Sequence, residues 1–336
     1  LPIRKPDILL WNEGIVMRIG VIGPGAVGGY FGGLLAQAGQ DVTFLARPLR
    51  AESLHRDGLV IKSVYGDVRV QPQVTTEARD LDGCEVILIT LKNYHLDAAW
   101  KDIVKAMAKG AMALPLQNGV VHIDRFRAAF GAEHVLGGSC YIETTLDANG
   151  HILQTSEVRD IVYGPLLDPE QRGQGFNQVL SRLQDAFTAA GIPAFCREPI
   201  LREMWKKYVF LCAFSGVTAA TRSAIGVALD NQESAALYVG LVEELLAVAR
   251  AHGIGLADRM REALLERALT LDPLMTSSLH RDLEKGSPLE LDSLQGALVE
   301  MAEAAKVPVP WHKAVCAVLA PHREGAVKHM RPLSSP

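Results

Sequence analysis

The stretch Leu201–Phe210, LREMWKKYVF, sets two lysines side by side in what reads as a partly buried helix. Burying an unpaired ammonium is costly, so a lysine kept in such a place is a candidate for chemistry. Held near a ketone oxygen that gains negative charge, it can stabilise that charge and deliver a proton. A helical reading puts Lys207, Leu211 and Ser215 on one stripe at steps of four. Lys206 is rotated about 100° away and reads as solvated. A second polar cluster lies in MTSSLHRDLEKGSPLELDSLQGALV, where Ser278 precedes a helical turn. Glu290 and Asp292 open the next helix after Ser287-Pro288. Carboxylates also occur in first helical turns simply because they suit the macrodipole.

What these groups act with is indicated nearer the amino terminus. Met17–Ile22 is a short apolar run suited to a buried parallel strand. It breaks into Gly23-Pro24-Gly25-Ala26-Val27-Gly28, a G-x-G-x-x-G loop, followed by a small-residue helix to Ala38, Gly39 as a stop, and a second strand at Asp41–Leu45. In such a unit Gly23 allows the tight turn, Gly25 lets backbone approach a pyrophosphate, and Gly28 lets helix and strand pack closely. The phosphates meet the free N–H groups of a helix N-terminus. An NAD site usually carries an acid at the end of the second strand for the ribose hydroxyl. Here the position offers Arg47, followed by Pro48 and Arg50. An arginine can grip a phosphate bidentately, so the expected cofactor is NADP(H).

Further strands are expected at Leu59–Ser63, Val68–Gln71, Glu85–Thr90, Ala111–Pro115 and Val135–Gly137, with helices at Leu96–Ala108 and Val121–Phe130 between several of them. That alternation predicts one mostly parallel, doubly wound sheet. Ligands of such sheets sit beyond the carboxyl ends of the strands. Lys92, in ILITLKNYHLD, and Asn118-Gly119, in ALPLQNGV, stand at two such ends. Strand character returns at His151–Tyr163, a helix at Gln178–Ala190, and from Arg197 onward the patterns are mostly helical. The expected organisation is a leader over 1–16, a nucleotide-binding domain over 17–196 and a helical domain over 197–330.

Bulk properties narrow the field. The 336-residue chain suffices for two cores, and its net charge of −4 makes no electrostatic case for nucleic acid or an anionic membrane. No window holds the roughly 18 uninterrupted apolar residues of a membrane span. The five cysteines are widely spaced without a C-x-x-C pair, and read as free thiols of a cytosolic protein rather than disulfides or metal ligands. No metal site is expected.

The pieces MRIGVIGPGAVGG, LAR, LITLKN, QNG, EMWKKYVFLCAFSGVTA and SSLHRDLEKGSPLELDSLQG, in this order from Met17 to about His322, resemble the ketopantoate reductase (2-dehydropantoate 2-reductase) family. The resemblance implies an α/β Rossmann domain followed by an all-α domain like the carboxy-terminal domain of 6-phosphogluconate dehydrogenase. It also implies reduction of a 2-oxo acid to a D-hydroxy acid with NADPH, in pantothenate biosynthesis. Lys207 falls on the family's proton-donating lysine, and Glu290 on an acid near the substrate hydroxyl and the nicotinamide. Asn118 matches an asparagine contacting substrate and cofactor, Lys92 a lysine near the nicotinamide ribose, and Ser278 a serine that holds the substrate. Glu143, in GGSCYIETT, falls where the nicotinamide pocket is lined. Four and eight residues after the lysine the family carries asparagines; this chain has Leu211 and Ser215, which implies a drier pocket in which Ser215 replaces one substrate contact. Three readings stay open: reduction of ketopantoate or a closely related 2-oxo acid, reduction of a different oxo acid by the same chemistry, and a non-catalytic NADP(H) sensor. The Ala- and Leu-rich helices also suit a homodimer interface.

Overall fold

A computed structural model describes residues 16–326. The expected leader, up to residue 15, and the end of the chain lie outside the described residues. Five parallel strands form the first sheet: β1 (Arg18–Ile22), β2 (Asp41–Leu45), β5 (Gln73–Thr75), β6 (Val86–Ile89) and β7 (Met112–Pro115), in the order β5-β2-β1-β6-β7. Every residue of β6 and β7 is buried, as expected of strands covered on both faces. Helices α1 (Ala26–Gln37), α2 (Pro48–Asp57), α3 (Leu96–Met107) and α4 (His122–Phe130) connect or follow them. The order reverses between β1 and β6, so the carboxyl ends of β1, β6 and β7 flank a topological switch point, the usual ligand crevice of open α/β sheets. The glycine loop, Lys92 and Asn118 follow these three ends in turn.

The single sheet expected from the strand spacing is corrected here: the described residues form two. β3 (Leu59–Ser63) and β4 (Val68–Val70) form an antiparallel pair that leaves the first sheet and joins β9 (Ile152–Pro165) and β10 (Ala194–Cys196), in the order β10-β9-β3-β4. The expected Val135–Gly137 strand is the start of β8 (Leu136–Leu146), which pairs antiparallel with β9 and bulges between Ile142 and Thr144. A hairpin of such strands needs no crossover helix, so alternation of strand and helix breaks down here. A bridge between Ala113 and Val135 links the two sheets, and α5 (Gln174–Ala189) precedes β10.

After Cys196 the described chain is helical: α6 (Ile200–Thr221), α7 (Ile225–Asp230), α8 (Gln232–Ala251), α9 (Met260–Thr270), α10 (Ser278–Glu284), α11 (Ala297–Ala304) and α12 (Pro310–Leu319). Helix α6 is the axis of this domain. Tyr208, Val209, Cys212, Ala213, Val217 and Ala219 are buried among residues of the surrounding helices, and the Tyr208 hydroxyl donates to the Leu294 carbonyl at 2.7 Å. The sequence pattern places Glu290 in a helix starting at Pro288. Instead, Glu290 precedes a π-helical turn, Asp292–Gly296, that leads into α11. Such wide turns are frequent at functional sites. None of the described helices is long and apolar enough to cross a membrane.

Candidate active site

At the amino-terminal end the loop geometry is dictated by missing side chains. A Cβ on Gly28 would collide with the Thr90 hydroxyl and approach the Gly23 carbonyl at 2.6 Å. Thr90 donates to that carbonyl at 2.8 Å, locking strand β6 to the loop. Over Gly25, by contrast, a Cβ would meet only the Gly23 carbonyl, at 4.0 Å. Gly25 caps α1 without a side-chain bond, and no acid lies in the first turn. The result is an open, uncapped helix N-terminus that a pyrophosphate fits. Pro24, Ala26 and Val27 complete this loop; the Pro24 carbonyl accepts from Arg50 Nε at 3.1 Å, while Arg50 Nη1 donates to the Gly150 carbonyl at 3.0 Å. Arg47, two residues past the end of β2, is the exposed N-cap residue of α2 and forms no ion pair among the described residues.

The carboxyl ends of β6 and β7 meet the helical domain through one polar chain. Lys207 Nζ donates to Asn118 Oδ1 at 2.9 Å and to the Cys140 carbonyl of β8 at 2.7 Å. Asn118 Nδ2 donates to Glu290 Oε2 at 3.5 Å. The same oxygen accepts from Lys92 Nζ at 3.1 Å, and Lys92 also reaches Asp282 Oδ2 of α10 at 3.2 Å. The other Glu290 oxygen accepts from the Asn93 backbone N–H at 3.2 Å. Asn93 Nδ2 in turn donates to the Asn118 carbonyl at 2.8 Å, and Gln117 Nε2 to Asn93 Oδ1 at 3.1 Å. Lys207, Asn118, Glu290 and Lys92 are thus brought together from four distant stretches.

Backbone packing explains the register. Gly119 has φ +91°, and a Cβ there would stand 2.8 Å from the Ser293 carbonyl. Only glycine lets the Asn-Gly turn sit directly on the π-helical turn, and that seat carries Asn118 against Glu290. Electrostatics follow from burial. Glu290 is only 5% exposed, a costly place for a carboxylate without partners; Lys92 and three N–H donors supply them. Burial opposes the charge on Lys92, but Glu290 and Asp282 outweigh it and hold its pKa above the ordinary lysine value. Burial pulls the Lys207 pKa below the ordinary value, with Glu290 opposing. Lys206, its neighbour, pairs with Glu203 at 2.7 Å on the helix surface.

Two expectations need separate mention. Ser278 is the first residue of α10, half-buried, and shares a face with Asp282 one turn on; its neighbour Ser277 is the N-cap, accepting from the His280 N–H at 3.0 Å. Ser215 does not join the site, which corrects the substrate contact expected for it. It is 0% exposed, its hydroxyl donates to the Cys212 carbonyl at 3.2 Å and it accepts from Gln295 Nε2 at 3.0 Å. Eight helical steps leave it roughly 80° round from Lys207. The Glu143 carboxylate lies 3.5 Å from Arg281 of α10, across the domain junction. Asn93, Asp282 and Arg50 were not singled out as site residues by sequence. Their only signals were adjacency to Lys92, helical spacing from Ser278 and proximity to Arg47.

A parallel-sheet nucleotide crevice facing a helix-borne lysine beside a buried carboxylate defines a two-domain dinucleotide-dependent oxidoreductase. Comparison with known proteins makes this specific. Residues 19–167 match the family model "Ketopantoate reductase PanE/ApbA", and residues 199–323 match its carboxy-terminal counterpart. An uncharacterized oxidoreductase of Bacillus subtilis, YkpB, is 33% identical over 294 residues, spanning 88% of this chain and 95% of that protein. The 2-dehydropantoate 2-reductase of Caulobacter vibrioides is 29% identical over 302 residues, spanning 90% and 97%. Among solved structures, a PanE/ApbA family ketopantoate reductase from Ralstonia eutropha superposes with a TM-score of 0.81 at 29% identity, over 91% of this chain and 98% of that one. The chain belongs to the ketopantoate reductase family of oxidoreductases.

Proposed function

We propose that the protein reduces ketopantoate or a closely related 2-oxo acid to the D-2-hydroxy acid, using NADPH. The observation that carries the reading is the Lys207 ammonium, 2.9 Å from Asn118 Oδ1 and joined through Asn118 to Glu290. Bound in the crevice, the reduced nicotinamide would supply the hydride that turns the C2 carbonyl into an alkoxide. The glycine loop Gly23–Gly28 and the open start of α1 would hold its pyrophosphate, and Arg47 its ribose phosphate. Lys92 and Glu143 stand on the same side of the junction, for the nicotinamide end.

In this reading Lys207 Nζ gives its proton to the alkoxide oxygen as negative charge develops there. Burial lowers the barrier to that transfer by lowering the amine's pKa. Glu290 keeps enough of the charged form for it to act as an acid, and Asn118 fixes the direction of the amine. Ser278, at the free end of α10, would hold the substrate. The ion pairs from Lys92 to Asp282 of α10 and to Glu290 draw the two domains over the site and exclude water.

The test is NADPH oxidation with a panel of 2-oxo acids by the wild-type protein and two lysine variants. Lys207→Ala is expected to lower kcat by roughly a thousandfold, the middle of the range for loss of a general acid, with NADPH affinity little changed. Lys206→Ala, which removes only a surface ion pair, should behave as wild type. Equal turnover by both variants would reject the assignment. Tight NADPH binding with no oxo acid reduced would favour the sensor reading.

A further inference from the structure

Beyond Lys207, helix α6 presents the site with no available polar group. The residues that stay close to the lysine's direction are Phe210, Leu211 and Phe214, at three, four and seven steps. Phe210 and Leu211 are half-buried, with surface still to cover. The two phenyl rings stack nearly parallel, centroids 5.7 Å apart at 7°, and Arg267 of α9 is held over the Phe210 ring at 4.8 Å. Across the junction the Tyr141 ring of β8 lies 5.4 Å from Lys207 Nζ. The hydroxyls farther along α6 are all hydrogen-bonded within the helical domain. Ser215 is bonded to Cys212 and Gln295. Thr218 donates to the Phe214 carbonyl at 2.8 Å and lies 2.9 Å from Ser277 Oγ. Thr221 donates to the Val217 carbonyl at 2.8 Å.

We infer that this apolar face receives the substituent on the oxo acid, and that the preferred substrates are 2-oxo acids whose substituent is branched aliphatic or aryl and carries no hydroxyl, amine or second carboxylate. The inference rests on the oxo-acid reductase reading and names the substrate class of that same site. A hydroxyl laid against Leu211 and the Phe210 ring gives up its water and meets no donor or acceptor on α6 in return. A methyl group in the same place is removed from water at no such cost. Discrimination therefore turns on one atom of the substrate, and on Leu211 as the position where a partner for that atom is missing.

The matched pair is ketopantoate and 3,3-dimethyl-2-oxobutanoate, the same skeleton with hydrogen in place of the hydroxyl. Steady-state kcat/KM is measured for both with saturating NADPH, in the wild-type full chain and in Leu211→Asn; a fluorescence titration with NADPH shows that the variant is folded. The wild type is expected to favour the deoxy acid by roughly tenfold or more, the scale of one unmade buried hydrogen bond. Leu211→Asn, which supplies a donor and an acceptor, should shift the ratio toward ketopantoate by a similar factor. A wild-type preference for ketopantoate, or a ratio that Leu211→Asn leaves unmoved, overturns the inference and leaves the reductase reading intact. If the wild type binds NADPH and reduces no oxo acid at all, the reductase reading itself falls and takes this inference with it.

Discussion

The glycine loop and the lysine–glutamate network face the same crevice and are built on opposite plans. The loop is contiguous: β1, the turn at Gly23–Gly28 and α1 lie within one stretch, and their contacts are mostly backbone. The network draws Lys92 and Asn93, Gln117 and Asn118, Cys140, Lys207, Asp282 and Glu290 from five separate places, with partners as far apart as 198 residues. A local device needs only its own residues to form. A dispersed one forms only when two domains meet, so each of its members supports both the docking and the chemistry. Changes in the loop should therefore alter cofactor binding alone, whereas changes in the network should alter turnover and its pH dependence together.

Glu290→Gln tests that distinction most severely. The carboxylate is the member shared by Lys92, Asn93 and Asn118, and loss of one preorganised group in such a site costs on the order of a hundredfold in kcat. The sign of the pH effect follows from Lys207. Its pKa is lowered by burial and supported by Glu290, and the proposed reduction needs the protonated amine, present below that pKa and lost as pH rises through it. Removing the negative charge lowers the pKa further, so the alkaline limb of the kcat profile should move to lower pH. A variant that is slower with an unshifted limb would separate Glu290 from the lysine. Gly28→Ala is the counterpart in the loop. Its Cβ collides with Thr90 and the Gly23 carbonyl, and relieving that overlap distorts the phosphate cradle. Overpacking of this kind costs about 1–3 kcal/mol, so the NADPH KM should rise by roughly tenfold to a hundredfold with the kcat–pH profile in place. A shifted profile would mean that the two regions are coupled.

The same contrast governs what sequence could reveal. The turn and the helix start of the loop follow from its own residues, so the motif was legible in one stretch, although Gly23 and Gly28 are also held by Leu91 and Thr90 beyond β6. Lys207 and Lys206 could be told apart because helical rotation is a local rule, and Asn118 was legible as a strand-end residue. The reason for Gly119, contact with the Ser293 carbonyl, was not, because it depends on a π-helical turn that the pattern near Pro288 does not announce. Asp282 is an ordinary helix acid until Lys92 is brought to it across the junction. Ser215 shows how a local rule fails by accumulation: at four residues the stripe still points near the lysine, but at eight it has turned toward Gln295. Similarly, strand and helix alternation gave four of the first sheet's five strands, β1, β2, β6 and β7, but missed its edge strand β5 and the whole second sheet, since the β8–β9 hairpin obeys pairing between strands rather than spacing along the chain.

The smallest expected effect lies where the loop meets its second arginine, and it sharpens the comparison by dividing the cofactor site itself. Arg50 is held in place by the Pro24 and Gly150 carbonyls, so it braces the loop for any dinucleotide. Arg47, exposed at the start of α2 and unpaired among the described residues, is the arginine available to an extra phosphate. Charge-assisted contacts to phosphate are stronger than neutral ones, though exposure and salt reduce them. Arg47→Ala should raise the NADPH KM by about tenfold, less at high ionic strength, with NADH kinetics unchanged. Arg50→Ala should weaken both cofactors together, because the brace touches the loop that both share. Parallel titrations with NADPH and NADH at two salt concentrations distinguish the roles, and equal losses for both cofactors in Arg47→Ala would reduce that residue to a helix cap.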